Sequence, residues 1–166
     1  MTQCEQAPGL NMLQHGEAVH EQFKLLKAED FSEDLQKLFK RLPPAEVLKP
    51  YHIYHDCGKH LCLEVGDDGK RRFPDHAEWS YKQYLHLFPD DVMTATLIRM
   101  DLGFHTYRGE ELLKLCKHPL APILYFTAWA EINANAEMFG GRESESYKIK
   151  RSRLIQAGKK LVKEKA

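Results

Sequence analysis

Long apolar runs, paired cysteines and a net charge of one sign are all missing from this 166-residue chain. No apolar stretch reaches the ~18 residues that a membrane helix needs, so no membrane partner is expected. The four cysteines, Cys4, Cys57, Cys62 and Cys116, show no CxxC spacing. That removes the signature of a structural zinc cluster and argues against a disulfide framework, and the setting is read as reducing and cytoplasmic. The opening MTQCEQAPGL has no basic region followed by an apolar run, so no signal peptide is expected. Formal net charge is zero, which does not suit extended binding along a nucleic-acid duplex. There is no internal repeat and no low-complexity tract.

What is present reads as one globular domain. The apolar fraction of 43% is ordinary for a soluble protein, and the length allows a real core. Charge is unevenly placed: from Arg142 to Ala166 nine Lys or Arg face three Glu, a basic C-terminal segment. Residues 1–10 are polar, carry a Pro-Gly turn, and are expected to form a loose arm.

The periodicity is helical throughout. His15, Val19, Phe23 and Leu26 share one face of a first helix, which leaves His20 on the surface. Ser32 is placed to cap a second, striped by Leu35, Leu38, Phe39 and Leu42. A third runs from Ala45 to about Cys57, with a kink expected at Pro50. Gly66, Gly69 and Pro74 mark a loop or a short hairpin. Asp75 and Asp90 are the expected caps of the next two helices, the second turning Met93, Leu97 and Ile98 inward. GEELLKLC makes a short helix, and a strongly apolar one spans about Leu120 to Met138, stopped by Gly140-Gly141. The tail is expected to begin irregular and end helical. The fold class is therefore all-α, about seven helices in a single domain.

Chemistry concentrates in YHIYHDCGKH, residues 51–60. At a helix end, the adjacent His55 and Asp56 can reach one ion, and imidazole with carboxylate suits Zn, Mn, Fe, Co or Ni. The competing reading is a helix-ending turn with Asp56 as a cap. Gly58 permits a sharp turn, and Lys59 could hold a phosphate as a point charge. His15 points inward, as a core histidine or a ligand. His76 opens a helix after FPD. Asp101 and Glu131 fall at inward positions of apolar helices, where a carboxylate is costly unless paired or bound to a metal. His105 follows Asp101 by four.

This combination of an upstream His, HDCGK, a helix-opening His in FPDHAEWS and a late Ala-acid step resembles the HD-domain superfamily of metal-dependent phosphohydrolases. The resemblance covers roughly residues 12–138. It implies a helical bundle around one or two divalent ions, Mn, Co, Ni, Zn or Fe rather than Mg. It places first-metal ligands on His15, His55, Asp56 and the late acid, with His76 serving a second ion across a bridging Asp56. The late acid departs from the family, being Glu131 rather than Asp. The binuclear members' further His falls near LIRMDLGFH, where Met100, Asp101 and His105 fit imperfectly; one ion or two stays open.

The implied activity is phosphoester hydrolysis by metal-activated water, with Lys59 neutralising phosphate charge and Glu78 or His105 handling the proton. Ser144, Ser146, Lys148 and Lys150 are candidate phosphate contacts, both lysines lying on one side if the segment is extended. Arg72 in the loop before His76 adds to a cationic rim; a solvated helix face competes for the tail. Small HD proteins act on nucleotides or nucleic-acid ends, so the expected substrate is a phosphomonoester of a nucleotide or of a nucleic-acid 2′/3′ end. A (d)NTP or cyclic-nucleotide hydrolase, an HD-fold diiron oxygenase and a non-catalytic binding module are the alternatives.

Overall fold

The central element is a mostly apolar helix buried on every side. In the computed structural model, which describes residues 5–7, 10–138 and 140–166 and side chains for 11–136 and 140–166, this is α8, Ala121–Met138. Leu124, Phe126, Thr127, Ala130 and Ala134 lie on different faces, yet all are buried. A helix that is apolar all round needs neighbours on every side. The tail supplies one as α9, Glu145–Lys165. Another is α1, Met12–Leu25, which packs on α8 and also on α3, Ala45–Tyr54. Between these lie α2, Glu33–Phe39, and a 3-10 turn at Ala28–Asp30. The second half of the bundle comprises α4, His76–Leu87, packed on α5, Val92–Met100, then the single turn α6, Gly103–Thr106, and α7, Gly109–Lys117. The only sheets among the described residues are two antiparallel pairs, β1 Glu5–Ala7 with β2 Leu10–Asn11, and β3 Glu64–Val65 with β4 Arg71–Arg72. The protein is thus an all-α single domain.

Local signals account for most boundaries. Asn11 and Gln14 form a reciprocal capping box at the start of α1. Gly140 and Gly141 take φ of +89° and +79° and follow the end of α8, as the sequence suggests. The hairpin alternative at residues 64–72 is the one realised. Of the N-terminal arm, residues 1–4, 8 and 9 lie outside the described residues, as does the side chain of Met138.

Several sequence expectations are corrected. Ser32 and Asp75 stand at N-cap positions but neither side chain makes a capping bond; Asp75 sits in the left-handed region at φ 53°. Asp91, not Asp90, caps α5 by accepting from the Thr94 amide. Met93 is exposed, because Thr94, Ala95, Leu97 and Ile98 face the core instead. α3 ends at Tyr54, with Pro50 accommodated inside it. The tail is helical from Glu145 onward, nucleated by Ser144, whose side chain accepts from the Tyr147 amide.

His20 is buried rather than on the surface. The helical wheel assumed one inward stripe, but α1 is covered on two sides, by α3 and α8. His20 Nδ1 lies 3.1 Å from His52 Nδ1, and its Nε2 lies 3.3 Å from Glu46. His52 Nε2 lies 3.2 Å from the Thr127 hydroxyl. All these contacts are satisfied with both rings neutral when Thr127 donates to His52, His52 to His20, and His20 to Glu46.

Burial, with repulsion from His20, pushes His52 down to about 3, whereas an unfolded chain would protonate it near 6.5. The unfolded state then binds the extra proton, so folding stability is complete above pH 6.5 and falls as pH drops toward 3. His52→Gln keeps hydrogen bonding without a titrating group. Urea denaturation of the metal-free protein between pH 6 and 4 should show a variant slope shallower by about 1.4 kcal/mol per pH unit. Parallel slopes would contradict the neutral, buried His52.

Candidate metal centre

Five helices and two turns deliver one to three side chains each to a single cavity of about 210 Å³. α1 supplies His15, and the turn after α3 supplies His55, Asp56 and Lys59. The first residue of α4 supplies His76, the end of α5 Asp101, and α6 His105. α8 supplies Glu131 and Asn135, and α9 supplies Lys150. The placement follows from local chemistry. α3 stops at Tyr54, the chain turns through Gly58, and the Gly58 amide donates to the Ser80 hydroxyl at 2.9 Å. A Cβ at Gly58 would collide with the Trp79–Ser80 backbone, so only glycine lets this turn lie against α4.

Asp56 is the hub, with only 3% of its surface exposed. Its Oδ2 lies 2.6 Å from Lys59 Nζ, 3.3 Å from His55 Nε2 and 3.8 Å from His15 Nε2. Its Oδ1 lies 3.5 Å from His76 Nε2. The two oxygens thus address different histidines. Backbone carbonyls fix two of the rings: His55 Nδ1 donates to the His52 carbonyl at 2.8 Å, and His76 Nδ1 to that of Phe73 at 3.0 Å. Each leaves Nε2 turned toward Asp56, the arrangement that presents a lone pair to a metal.

A second grouping shares His55. One atom each of His55, Asp101 and Glu131 lies within 4.8 Å of the others, as is true of His15, His55 and Asp56. Tyr51 donates its buried hydroxyl to Asp101 Oδ1 at 2.5 Å. Glu131 Oε2 lies 3.0 Å from His105 Nε2 without hydrogen-bond alignment. Several atoms here are buried without a hydrogen bond among the described residues: His15 Nδ1, His55 Nε2 and Glu131 Oε1. Buried polar atoms are normally satisfied, so an orphaned imidazole nitrogen and carboxylate oxygen lining one cavity suit a bound cation.

Electrostatics point the same way. Burial opposes ionising Asp56, yet the charges of His55 and Lys59 hold it well below the ordinary carboxylate range. Burial opposes charging His55, yet Asp56 raises it to about 10. Burial and the neighbouring Glu131 push Asp101 up to about 8. Glu131 is held low by His105 against its burial. With protein groups alone, the cluster balances its carboxylates by retaining protons on His55 and Asp101. A divalent cation would replace those protons.

Not every candidate arrives. Glu78 faces Arg99 at 2.8 Å and Lys82 at 3.7 Å, outside the cavity. Arg72 is held by Asp68 within the hairpin at 3.1 Å. Lys148 pairs with Glu143 at 3.4 Å, because in a helix it lies ~200° around from Lys150 rather than on the same side. Ser144 and Ser146 line a side compartment of about 100 Å³ that shares Ile132, Asn135 and Lys150 with the metal cavity. His60 bonds the Cys57 carbonyl outside the cavity lining. Tyr51 and Asn135 were missed as site residues. Both were legible by spacing, four residues before His55 and four after Glu131. No family model, no curated protein and no solved structure matches this chain.

Adding Mn²⁺, Co²⁺ or Zn²⁺ should stabilise the protein, by about 2.7 kcal/mol at a hundredfold excess over Kd. Calorimetry should show the gain abolished in His55→Ala and retained in His118→Ala, whose side chain lies outside the cavity lining. Equal stabilisation of both variants would place the ion elsewhere.

Proposed function

We propose that the protein is a divalent-metal-dependent phosphohydrolase of the HD type, acting on a phosphomonoester of a nucleotide or of a nucleic-acid 2′/3′ end. The observation that carries this reading is the single cavity in which seven His, Asp and Glu side chains meet two lysines. Metal donors alone would serve many chemistries. Ammonium groups beside them suit an anionic substrate.

The donors are nitrogen and oxygen without thiolate, a set that favours Mn, Fe, Co, Ni or Zn over Mg. His15, His55, Asp56 and Glu131 would hold one ion, with Asp101 beside them, and His76 would hold a second across Asp56. When bound, the metal supplies an acidified water and a Lewis acid for phosphate oxygens. Lys59, 2.6 Å from Asp56, fixes that carboxylate and keeps a positive charge at the cavity wall. Lys150 joins the cavity to the side compartment, so it can draw in a phosphate while Ser144 and Ser146 meet the sugar end. His105 Nε2, against Glu131, is the ring placed to receive or return a proton. Glu78, bound to Arg99, has no part in this account.

One observation favours a second reading. Asp101 and His105 both line the cavity, so the donor count admits two irons and the oxidation of a small molecule. Metal analysis with oxygen consumption separates the two.

The test is a phosphoester panel, from p-nitrophenyl phosphate through nucleotides, (d)NTPs and cyclic nucleotides to 3′-phosphate oligonucleotides, against Mn, Co, Ni, Zn and Mg. Monoesters should be hydrolysed and Mg should serve poorly. Asp56→Asn should lower kcat/KM by about a hundredfold or more, roughly 3 kcal/mol of transition-state stabilisation. Lys150→Ala should raise KM with little change in kcat. Two bound irons with oxygen uptake, and no hydrolysis with any ion, would overturn the hydrolase reading.

A further inference from the structure

A cavity larger than the metal site lies elsewhere in the molecule. A groove of about 400 Å³ lies between the start of α2, α8 and α9, and none of the metal-cavity residues line it. We infer that this groove is a second small-molecule site, one that takes a flat aromatic anion.

Its floor is aromatic. Tyr125 and Trp129, one turn apart on α8, face it together with Phe31, whose ring meets Trp129 edge-on with centroids 5.8 Å apart. Phe31 and Trp129 are half-buried and Tyr125 lies fully buried behind them, and small-molecule sites of roughly 300–1,000 Å³ have this apolar, ring-lined character. The Trp129 indole N–H lies beside the Tyr125 hydroxyl.

Its rim selects charge. Arg151, Ile155 and Lys159 recur every four residues on α9, so they form one stripe along the groove. Tyr147 bonds Asn133, and Tyr125 bonds the Leu154 carbonyl, so α8 and α9 run antiparallel and Arg151 lies level with Trp129. Neither Arg151 nor Lys159 has a carboxylate partner among the described residues. Of the two acids at the opposite edge, Asp34 is spent on Lys37 at 2.8 Å, which leaves Asp30 against two cations. The Ser32 hydroxyl, at the mouth, is not used as a helix cap. A ligand that stacks its ring on Trp129 and Phe31 and sets a carboxylate, sulfonate or phosphate on the Arg151 guanidinium uses all of these groups. A cationic ligand would meet Arg151 and Lys159 with the wrong sign, and an uncharged one would leave them unused.

The test uses the full chain with two fluorescent probes of the same ring type, anilinonaphthalene sulfonate and the uncharged N-phenylnaphthylamine. The sulfonate should bind saturably, one per chain. Arg151→Gln with Lys159→Gln should weaken it about tenfold or more, the loss of one or two charge-assisted contacts, and leave the uncharged probe unchanged. Ile155→Trp, which fills the groove from its exposed side, should block both probes while circular dichroism stays native. Chelator should leave the sulfonate affinity as it was. Absent saturable binding, an affinity indifferent to the Gln pair and to Ile155→Trp, or loss of binding on adding chelator would each overturn the proposal.

Discussion

Asp56 is a carboxylate almost sealed from water, and the bundle is arranged around keeping it ionised there. An isolated charge at that depth would cost several kcal/mol, so the surroundings must return that energy. Lys59 supplies one counter-charge at 2.6 Å from the same turn, and the rest come from distant segments: His15 on α1, His55 at the end of α3, His76 at the start of α4. Holding those segments together requires the contacts that define the fold. α1 must lie between α3 and α8, and Gly58 must let the turn press against α4. The site therefore does not decorate a finished scaffold. Removing its charges without a substitute would leave uncompensated groups at the centre of the molecule.

Glu131 and Asp101 extend the same constraint across the cavity. Glu131 rides on the most buried helix of the protein, with His105 as its near partner, and Asp101 is held by the Tyr51 hydroxyl. The histidines on the far side of α3 serve a different end. His20, His52 and Thr127 form a hydrogen-bonded line that ties α1, α3 and α8 together. His55 joins the two systems, because its Nδ1 is fixed by the His52 carbonyl while its Nε2 faces the cavity. His52 and His55, three positions apart, thus divide cleanly between packing and site. That division is made by which way each ring faces, not by composition.

Much of this was legible beforehand. Inward placement of His15, Asp101 and Glu131 followed from 3.6-residue periodicity, and all three line the cavity. The all-α class followed from the same periodicity. What the sequence could not supply was the number of neighbours each helix has. A wheel gives one inward face, so His20 was assigned to water although two helices cover α1. Nor could it decide between helix and extended chain at residues 145–150, where a basic stretch has no apolar stripe of its own. Lys148 and Lys150 part company only because α9 continues there against α8. Asp75 and Glu78 were misread because local roles were assigned from residue type, while Asp75 takes a left-handed backbone without a capping bond and Glu78 meets Arg99 where α4 packs on α5.

The central claim is that these converging side chains are a metal site. Anomalous diffraction from crystals grown with Mn²⁺, recorded at the manganese edge, tests it most directly. The account predicts a peak inside the cavity, within coordination distance of His55 and Asp56, with His15 or Glu131 completing the first set of ligands. A cavity without anomalous density, in crystals whose only peaks lie on the surface, would contradict it.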